Sequence, residues 1–362
     1  MQDRIGQLKK KLSEAAIDAT FLVKPHNVFY FANYASVCSG IVAFPESDPV
    51  FCTLWLDAPE AATVCTMPHV SSYVFPKDRL MARMIQLAKK HATRFERIGV
   101  EKDALVLRDY ELLSDTFPNA EFVHIGPIVD YLRAFKTPAE IEKIQKAASM
   151  ADAAMAAAIS AVKPGVTEIE IAAEAEYVMR KLGSERPAFG TFVASGERTL
   201  LAHPHASHKR VEAGDPIVID LGATWQGYSS DLCRTTFAGE PTREQRDYLK
   251  VILEAQRAAA SVLRDGAVAG DVFERAYEIF KAHKMGNLLP DDIGYGVGLR
   301  QSEFYPIIER NSITVLAENM VVALMQTSAY LRRVGGLRVE DTFQITAVGC
   351  KRLTRHIQPT FD

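Results

Sequence analysis

The chain has 362 residues, 48% of them hydrophobic and 24% charged. At roughly 100–200 residues per domain, that length predicts about two domains, each large enough for a core of its own. Lys and Arg number 42 against 45 Asp and Glu, a formal charge of -3, which argues against nucleic-acid binding through a basic face and against a disordered acidic tail. No apolar run approaches the ~18–20 residues of a membrane helix, so no membrane partner is expected. The N-terminus is charged and helix-periodic with no apolar signal core. The cysteines are Cys38, Cys52, Cys65, Cys233 and Cys350, an odd number with no CxxC pair. These features predict a cytoplasmic chain with reduced thiols, each most simply a small buried hydrophobe.

In chain order, Ile5, Leu8, Leu12 and Ala15 recur at helical spacing. Apolar strands are predicted over 19–23, 40–44 and 49–54. Helical patterns follow at about 57–66, 79–93 and 107–117, separated by short strands that include Ile98-Gly99-Val100 and Phe122-Val123-His124. That alternation predicts an α/β layer domain. A boundary is expected near 133–138, where Thr137 can cap a helix, Pro138 occupies its first position and Glu140 completes a capping box. The Ala-rich helix runs to about Val162 and stops at Lys163-Pro164-Gly165; a second covers 168–182 and ends at Gly183. Strands dominate 188–238. Two more helices are predicted at about 242–264 and 271–284, and strands and turns fill the rest. The similar order of elements in 138–238 and 242–350 hints at an internal duplication.

The strongest chemical signal is Ile217-Val218-Ile219-Asp220-Leu221-Gly222-Ala223, followed by Gly227-Tyr228-Ser229-Ser230-Asp231-Leu232-Cys233-Arg234. An Asp ends an apolar strand, and a second Asp sits eleven residues later on the return strand. A hairpin would set the two carboxylates side by side, and buried carboxylates must be paired, hydrogen-bonded or metal-bound. The plainer reading is that Asp220 only caps the strand and Asp231 pairs with Arg234.

These residues, together with Lys136-Thr137-Pro138-Ala139-Glu140, Lys163-Pro164-Gly165-Val166-Thr167-Glu168, Phe189-Gly190-Thr191-Phe192-Val193-Ala194-Ser195-Gly196, Gly214-Asp215 and Gly336-Leu337-Arg338-Val339-Glu340-Asp341, resemble the pita-bread superfamily. Its members include aminopeptidase P, prolidase, methionine aminopeptidase and creatinase. The resemblance implies an α+β protein, with a creatinase-type α/β N-terminal domain over 1–132 and a pita-bread catalytic domain over 133–362. It also implies a homodimer. In the peptidases of this superfamily an Asp pair, one His and two Glu hold two divalent metals. Asp220, Asp231 and Glu340 match three of those ligands. The position of the ligand His is Tyr295, within Gly294-Tyr295-Gly296-Val297-Gly298-Leu299, and that of the other Glu is Met325. The step that carries a catalytic His in the peptidases reads Ser302-Glu303, and no His occurs between His283 and His356.

A thioether and a neutral phenol are poor ligands for hard cations, so a two-metal mechanism is not expected. Three converging carboxylates still repel; at ~4 Å and an effective dielectric of ~20, each ionised pair costs roughly 4 kcal/mol. A metal, a proton on one carboxyl, Arg338 or a cationic substrate could offset that. The resemblance to the metal-poor creatinase and ectoine-hydrolase branch favours a cationic substrate. The expected activity is therefore hydrolysis of a C–N bond in a small, cationic or cyclic amidine-like metabolite, with no cofactor. His203, eight residues after Ser195, is at the offset of the creatinase proton-transfer base, a role that suits an imidazole. Asp220, Asp231 and Glu340 would orient substrate and water or supply a nucleophile. Tyr295, Met325, Ser302, Glu303 and Arg338 would bind substrate. Two alternatives stand beside this: an Xaa-Pro dipeptidase or aminopeptidase with one divalent metal (Mn, Mg, Fe or Co) on Asp220, Asp231 and Glu340, and a non-catalytic binding module. Cys233 is a weaker candidate nucleophile, with no base beside it in sequence.

Overall fold

The computed structural model describes residues 3–327, 331, 333–356 and 358, with only the backbone described at 325–327. The chain divides into two compact units, one up to Arg133 and one from Ala134 onward.

The first unit contains α1 (Arg4–Glu14), β1 (Ala19–Leu22), α2 (Pro25–Ala32), β2 (Gly40–Ala43), β3 (Val50–Leu54), α3 (Ala58–Val64), β4 (His69–Tyr73), α4 (Leu80–His91), β5 (Arg97–Val100), α5 (Leu107–Thr116), β6 (Glu121–His124) and α6 (Gly126–Ala134). Its strands form one mixed sheet in the order β4-β3-β2-β1-β5-β6. The short apolar strands are covered by amphipathic helices; Met81, Met84 and Ile85 of α4 pack with Phe21, Val42, Cys52 and Ile98 of the sheet. Three elements went unread in the sequence. α2 is apolar almost throughout and so lacks helical periodicity, although Pro25 starts it and Asn33, with φ 54, ends it in the left-handed region. α6 leads into the stretch read as a boundary. β4, His69-Val70-Ser71-Ser72-Tyr73, is a polar edge strand with little alternation to see.

The second unit begins with α7 (Pro138–Ala161) and α8 (Glu168–Lys181), followed by β7 (Phe192–Ser195), β8 (Pro216–Leu221), β9 (Thr224–Trp225), β10 (Tyr228–Ser229) and β11 (Leu232–Phe237). The order then repeats: α9 (Arg243–Val262) and α10 (Ala269–Ala282) precede β12 (Asp292–Gly296), β13 (Glu303–Glu309), β14 (Val321–Thr327), β15 (Arg338–Thr346) and β16 (Gly349–Arg352). Thr137, Thr167 and Thr242 each cap their helix with a complete capping box. The main sheet runs β13-β12-β14-β15-β11-β8-β7, with β16 paired to β15. The two halves therefore meet where β11 pairs with β15, at Cys233 opposite Glu340. No helix among the described residues is long and apolar enough to cross a membrane.

Strand periodicity assigns the two faces of this sheet. On β8, Ile217, Ile219 and Leu221 pack into the core beneath α7 and α8, where Ala151, Ala154 and Ala158 let helix and strand approach closely. Val218 and Asp220 consequently face the other way. On β15, Val339, Phe343 and Ile345 pack under α9 and α10, with Leu337 just before the strand, leaving Arg338, Glu340 and Thr342 on the face opposite. The same alternation puts Arg234 and Asp341 on the helix side, joined by a buried ion pair at 2.6 Å. Arg234 also donates to the carbonyls of Cys233 and Glu340. The plainer reading of Asp231, a partnership with Arg234, therefore does not hold; Arg234 belongs to Asp341 and is on the other face. Removing one member of a buried pair strands the other charge. Asp341→Ala is expected to cost about 3–5 kcal/mol, read as a lower denaturant midpoint at unchanged slope.

Candidate active site

One row of registered residues crosses the sheet. Phe192 stands opposite Asp220, Asp220 opposite Cys233, Cys233 opposite Glu340, and Glu340 opposite Met325. Residues directly opposite on a ladder share a face, so the row lines one surface. Asp231, two residues before Cys233, joins it from the end of the hairpin. Tyr295 joins through its pairing with Ala323, two residues before Met325. The side chain of Met325 lies outside the described residues.

The hairpin that delivers both aspartates has a local cause. Gln226 and Gly227, with φ 47 and 81, form the two-residue turn between β9 and β10, as a tight primed turn requires. Gly222 permits the close approach: a Cβ there would stand 2.1 Å from the carbonyl oxygen of Ser230. Thr342 fixes Asp231 from the neighbouring strand, exchanging hydrogen bonds with its N–H at 3.2 Å and its carbonyl at 2.7 Å.

Asp220, Asp231 and Glu340 each bring a carboxylate oxygen within 4.8 Å of the other two, and all three are buried. The Tyr295 hydroxyl lies 2.9 Å from Asp231 Oδ2 and 2.8 Å from Glu340 Oε1. A phenol has one proton to donate, so with no cation present one of these contacts needs a proton from a carboxyl. Burial supplies the reason. It raises Asp220 to about 6 and Glu340 to about 8, Glu340 being raised further by the Asp220 charge. Burial, then the charges of Glu340 and Asp220, push Asp231 well above the carboxylate range. Burial likewise raises the Tyr295 hydroxyl. Cys233 is pushed up by burial and then by the Asp220 charge, so it stays a thiol, the form without nucleophilic power.

The other expected site residues are spread more widely. His203 is exposed on the loop after β7, its ring 6.0 Å from that of Phe192 in an edge-on contact, and it lies outside the carboxylate cluster. Arg338 donates to the carbonyls of Leu201 and Ala202, tying down the chain just before His203. Its charge partly counters the upward pull on Asp220 and Glu340. Glu303 is buried and turned to other work: it accepts from the Leu299 N–H at 2.9 Å and pairs with Lys136 at 3.7 Å. Ser302 beside it is half-buried. Two contributors went unrecognised in the sequence. Phe192 forms the apolar wall beside Asp220. Glu168, fully buried, accepts from Ser195, Arg198 and Ser207 and so fixes both ends of the His203 loop. The run Lys163–Glu168 had drawn notice without disclosing this role.

A divalent cation fits these residues. Asp231 Oδ1 and Glu340 Oε2 are buried and have no hydrogen-bond partner among the described residues. Buried carboxylate oxygens without donors are costly, and converging carboxylate oxygens are the donor set that hard cations take.

Comparison with known proteins agrees. Residues 142–347 match the model of metallopeptidase family M24. The chain belongs to this family. Residues 4–135 match the creatinase/prolidase N-terminal domain. An M24 relative, the Xaa-Pro dipeptidase of Pyrococcus furiosus, is 36% identical over 98% of either chain. The solved prolidase of Pyrococcus horikoshii superposes with a TM-score of 0.90 at 32% identity, covering 99% of each chain. The Xaa-Pro dipeptidase of Bacillus anthracis gives 0.91 at 28%, again over 99% of both. The chain is thus an M24-type hydrolase of C–N bonds, with an α+β fold.

These findings correct three expectations. Hydrolysis of a cationic or amidine-like metabolite is overturned by whole-length similarity to proteins named as Xaa-Pro dipeptidases. Independence of metal, and the absence of a cofactor, are overturned by membership of a metallopeptidase family. The physical reason lies in the cluster. Two of the positions that the resemblance assigns to metal ligands read Tyr295 and Met325. Asp220, Asp231 and Glu340 still converge, and a divalent ion would balance them without an organic cation.

Proposed function

We propose that this chain is an Xaa-Pro dipeptidase working with one divalent metal ion (Mn, Mg, Fe or Co) held by Asp220, Asp231 and Glu340. The observation that carries this reading is the convergence of three buried carboxylates, of which Asp231 Oδ1 and Glu340 Oε2 have no hydrogen-bond partner among the described residues, in a chain similar end to end to such dipeptidases. A bound ion would supply Lewis acidity toward the scissile peptide carbonyl.

The protein's own residues do the rest. Tyr295 donates into the Asp231–Glu340 pair and holds both carboxylates in orientation. The rings of Phe189 and Phe192, 5.5 Å apart, give an apolar wall suited to a pyrrolidine ring. His203 is assigned to proton transfer with the leaving amine, and Arg338 and Glu168 position its loop. The substrate is a small molecule. A cytoplasmic homodimer completes the reading, supported by the family resemblance and by five free cysteines.

The test is direct. Purified protein should release proline from Xaa-Pro dipeptides in preference to Xaa-Ala controls. Exhaustive chelation should abolish turnover, and Mn or Co should restore it. Full activity after chelation, or no hydrolysis of Xaa-Pro with any of these metals, would sink the proposal.

A further inference from the structure

We propose that Tyr295 fixes the capacity of this acidic pocket at one cation, by filling with its hydroxyl the side on which a second ion would sit. The inference rests on the single-metal reading above and adds the device that enforces it. Each of two carboxylates offers two oxygens. The hydroxyl of Tyr295 occupies the Oδ2 of Asp231 and the Oε1 of Glu340, at 2.9 and 2.8 Å. The other oxygens, Asp231 Oδ1 and Glu340 Oε2, are buried and have no hydrogen-bond partner among the described residues. One oxygen of each carboxylate is thus engaged by a neutral donor and the other is left for a cation.

Backbone register gives the residue types that neighbour Glu340 on this face. β12 contributes Tyr295, paired with Ala323 of β14, and β14 contributes Met325, paired with Glu340. A phenol already engaged as a donor and a thioether are the residue types these two positions offer, and neither suits a hard cation. Asp220, Asp231 and Glu340 come from β8, the hairpin end and β15, and each brings a carboxylate oxygen within 4.8 Å of the other two. The same carboxylates would serve two ions only if the residues at 295 and 325 brought lone pairs in place of a donor proton and a thioether.

Metal content tests this without recourse to turnover. The protein is stripped with chelator, reloaded with excess Mn2+, freed of unbound ion and analysed for metal per chain. The electron paramagnetic resonance spectrum then distinguishes an isolated Mn2+ from an exchange-coupled pair. The wild type should hold one ion with an uncoupled spectrum. Tyr295→His combined with Met325→Glu should hold two, with a coupled spectrum. Tyr295→His alone, which preserves more of the native packing, should bind measurably more than one. Two coupled ions in the wild type, or a single ion in a folded double variant, would overturn this inference and leave the peptidase reading standing. No bound ion in the wild type would overturn this inference and the single-metal reading together.

Discussion

Glu340→Gln should lower kcat/KM toward an Xaa-Pro dipeptide by at least ~100-fold, the scale of losing one preorganised electrostatic group at a reacting centre. Glu340 occupies the seam between the two halves of the second unit, opposite Cys233, and its Oε2 has no hydrogen-bond partner among the described residues. Gln keeps the volume and can still accept from the Tyr295 hydroxyl, so packing is preserved. What it removes is an anionic ligand, and metal content should fall with activity. The variant separates function from folding by the opposite sign of its effect on stability. In the metal-free wild type Glu340 is a buried acid beside two others, raised to about 8. Replacing it relieves that repulsion, so the chelated variant should melt above the chelated wild type near pH 8. At about 2–4 °C per kcal/mol for a unit of this size, a relief of a few kcal/mol is easily seen. A variant that loses activity and melts lower would show that Glu340 supports the fold instead.

The hairpin was legible in the sequence because its determinants are local. A strand-terminal Asp220, the close approach at Gly222 and the turn at Gln226-Gly227 all fall within a dozen residues or fewer. The capping box at Thr137 was legible for the same reason. Glu340 was reached only through family resemblance, since nothing near it announces that β15 will lie beside β11. The contact of Tyr295 with both Asp231 and Glu340 was out of reach, because it depends on the register of β12 on β14 and of β14 on β15. Glu303 was singled out through the family resemblance alone, and its ion pair with Lys136 joins residues too far apart in sequence to be foreseen. The error over metal had a different source. Two lost ligands were weighed as the loss of the centre, when the three retained carboxylates still converge within 4.8 Å of one another.

The metal-free protein should lose stability as pH rises from about 4 to about 8, and a divalent ion should reverse that loss. The sign follows from proton binding. In the unfolded chain the carboxyls of Asp220, Asp231 and Glu340 ionise near pH 4. In the folded chain burial, joined at Asp231 and Glu340 by repulsion from neighbouring carboxylates, holds their protons on: Asp220 to about 6, Glu340 to about 8, and Asp231 also well up. Below about pH 4 both states are protonated and the cluster costs nothing through ionisation. Between the two ranges the folded state binds more protons than the unfolded one, so each rise in pH favours unfolding. Above about pH 8 the curve should flatten. Each unit of displacement is worth about 1.4 kcal/mol, so the combined effect is several kcal/mol. A cation must displace the same protons to bind, which makes its stabilising effect larger at pH 8 than at pH 5. At a hundredfold excess over its dissociation constant it adds about 2.7 kcal/mol. Thermal melts across this range, with chelator and with Mn2+, measure both effects. Asp231→Asn should flatten the chelated profile and shrink the gain from Mn2+. A chelated wild type whose stability instead climbs from pH 5 to pH 8 would mean that the three carboxylates are stabilised as anions by the protein itself, and that no cation is needed to hold them together.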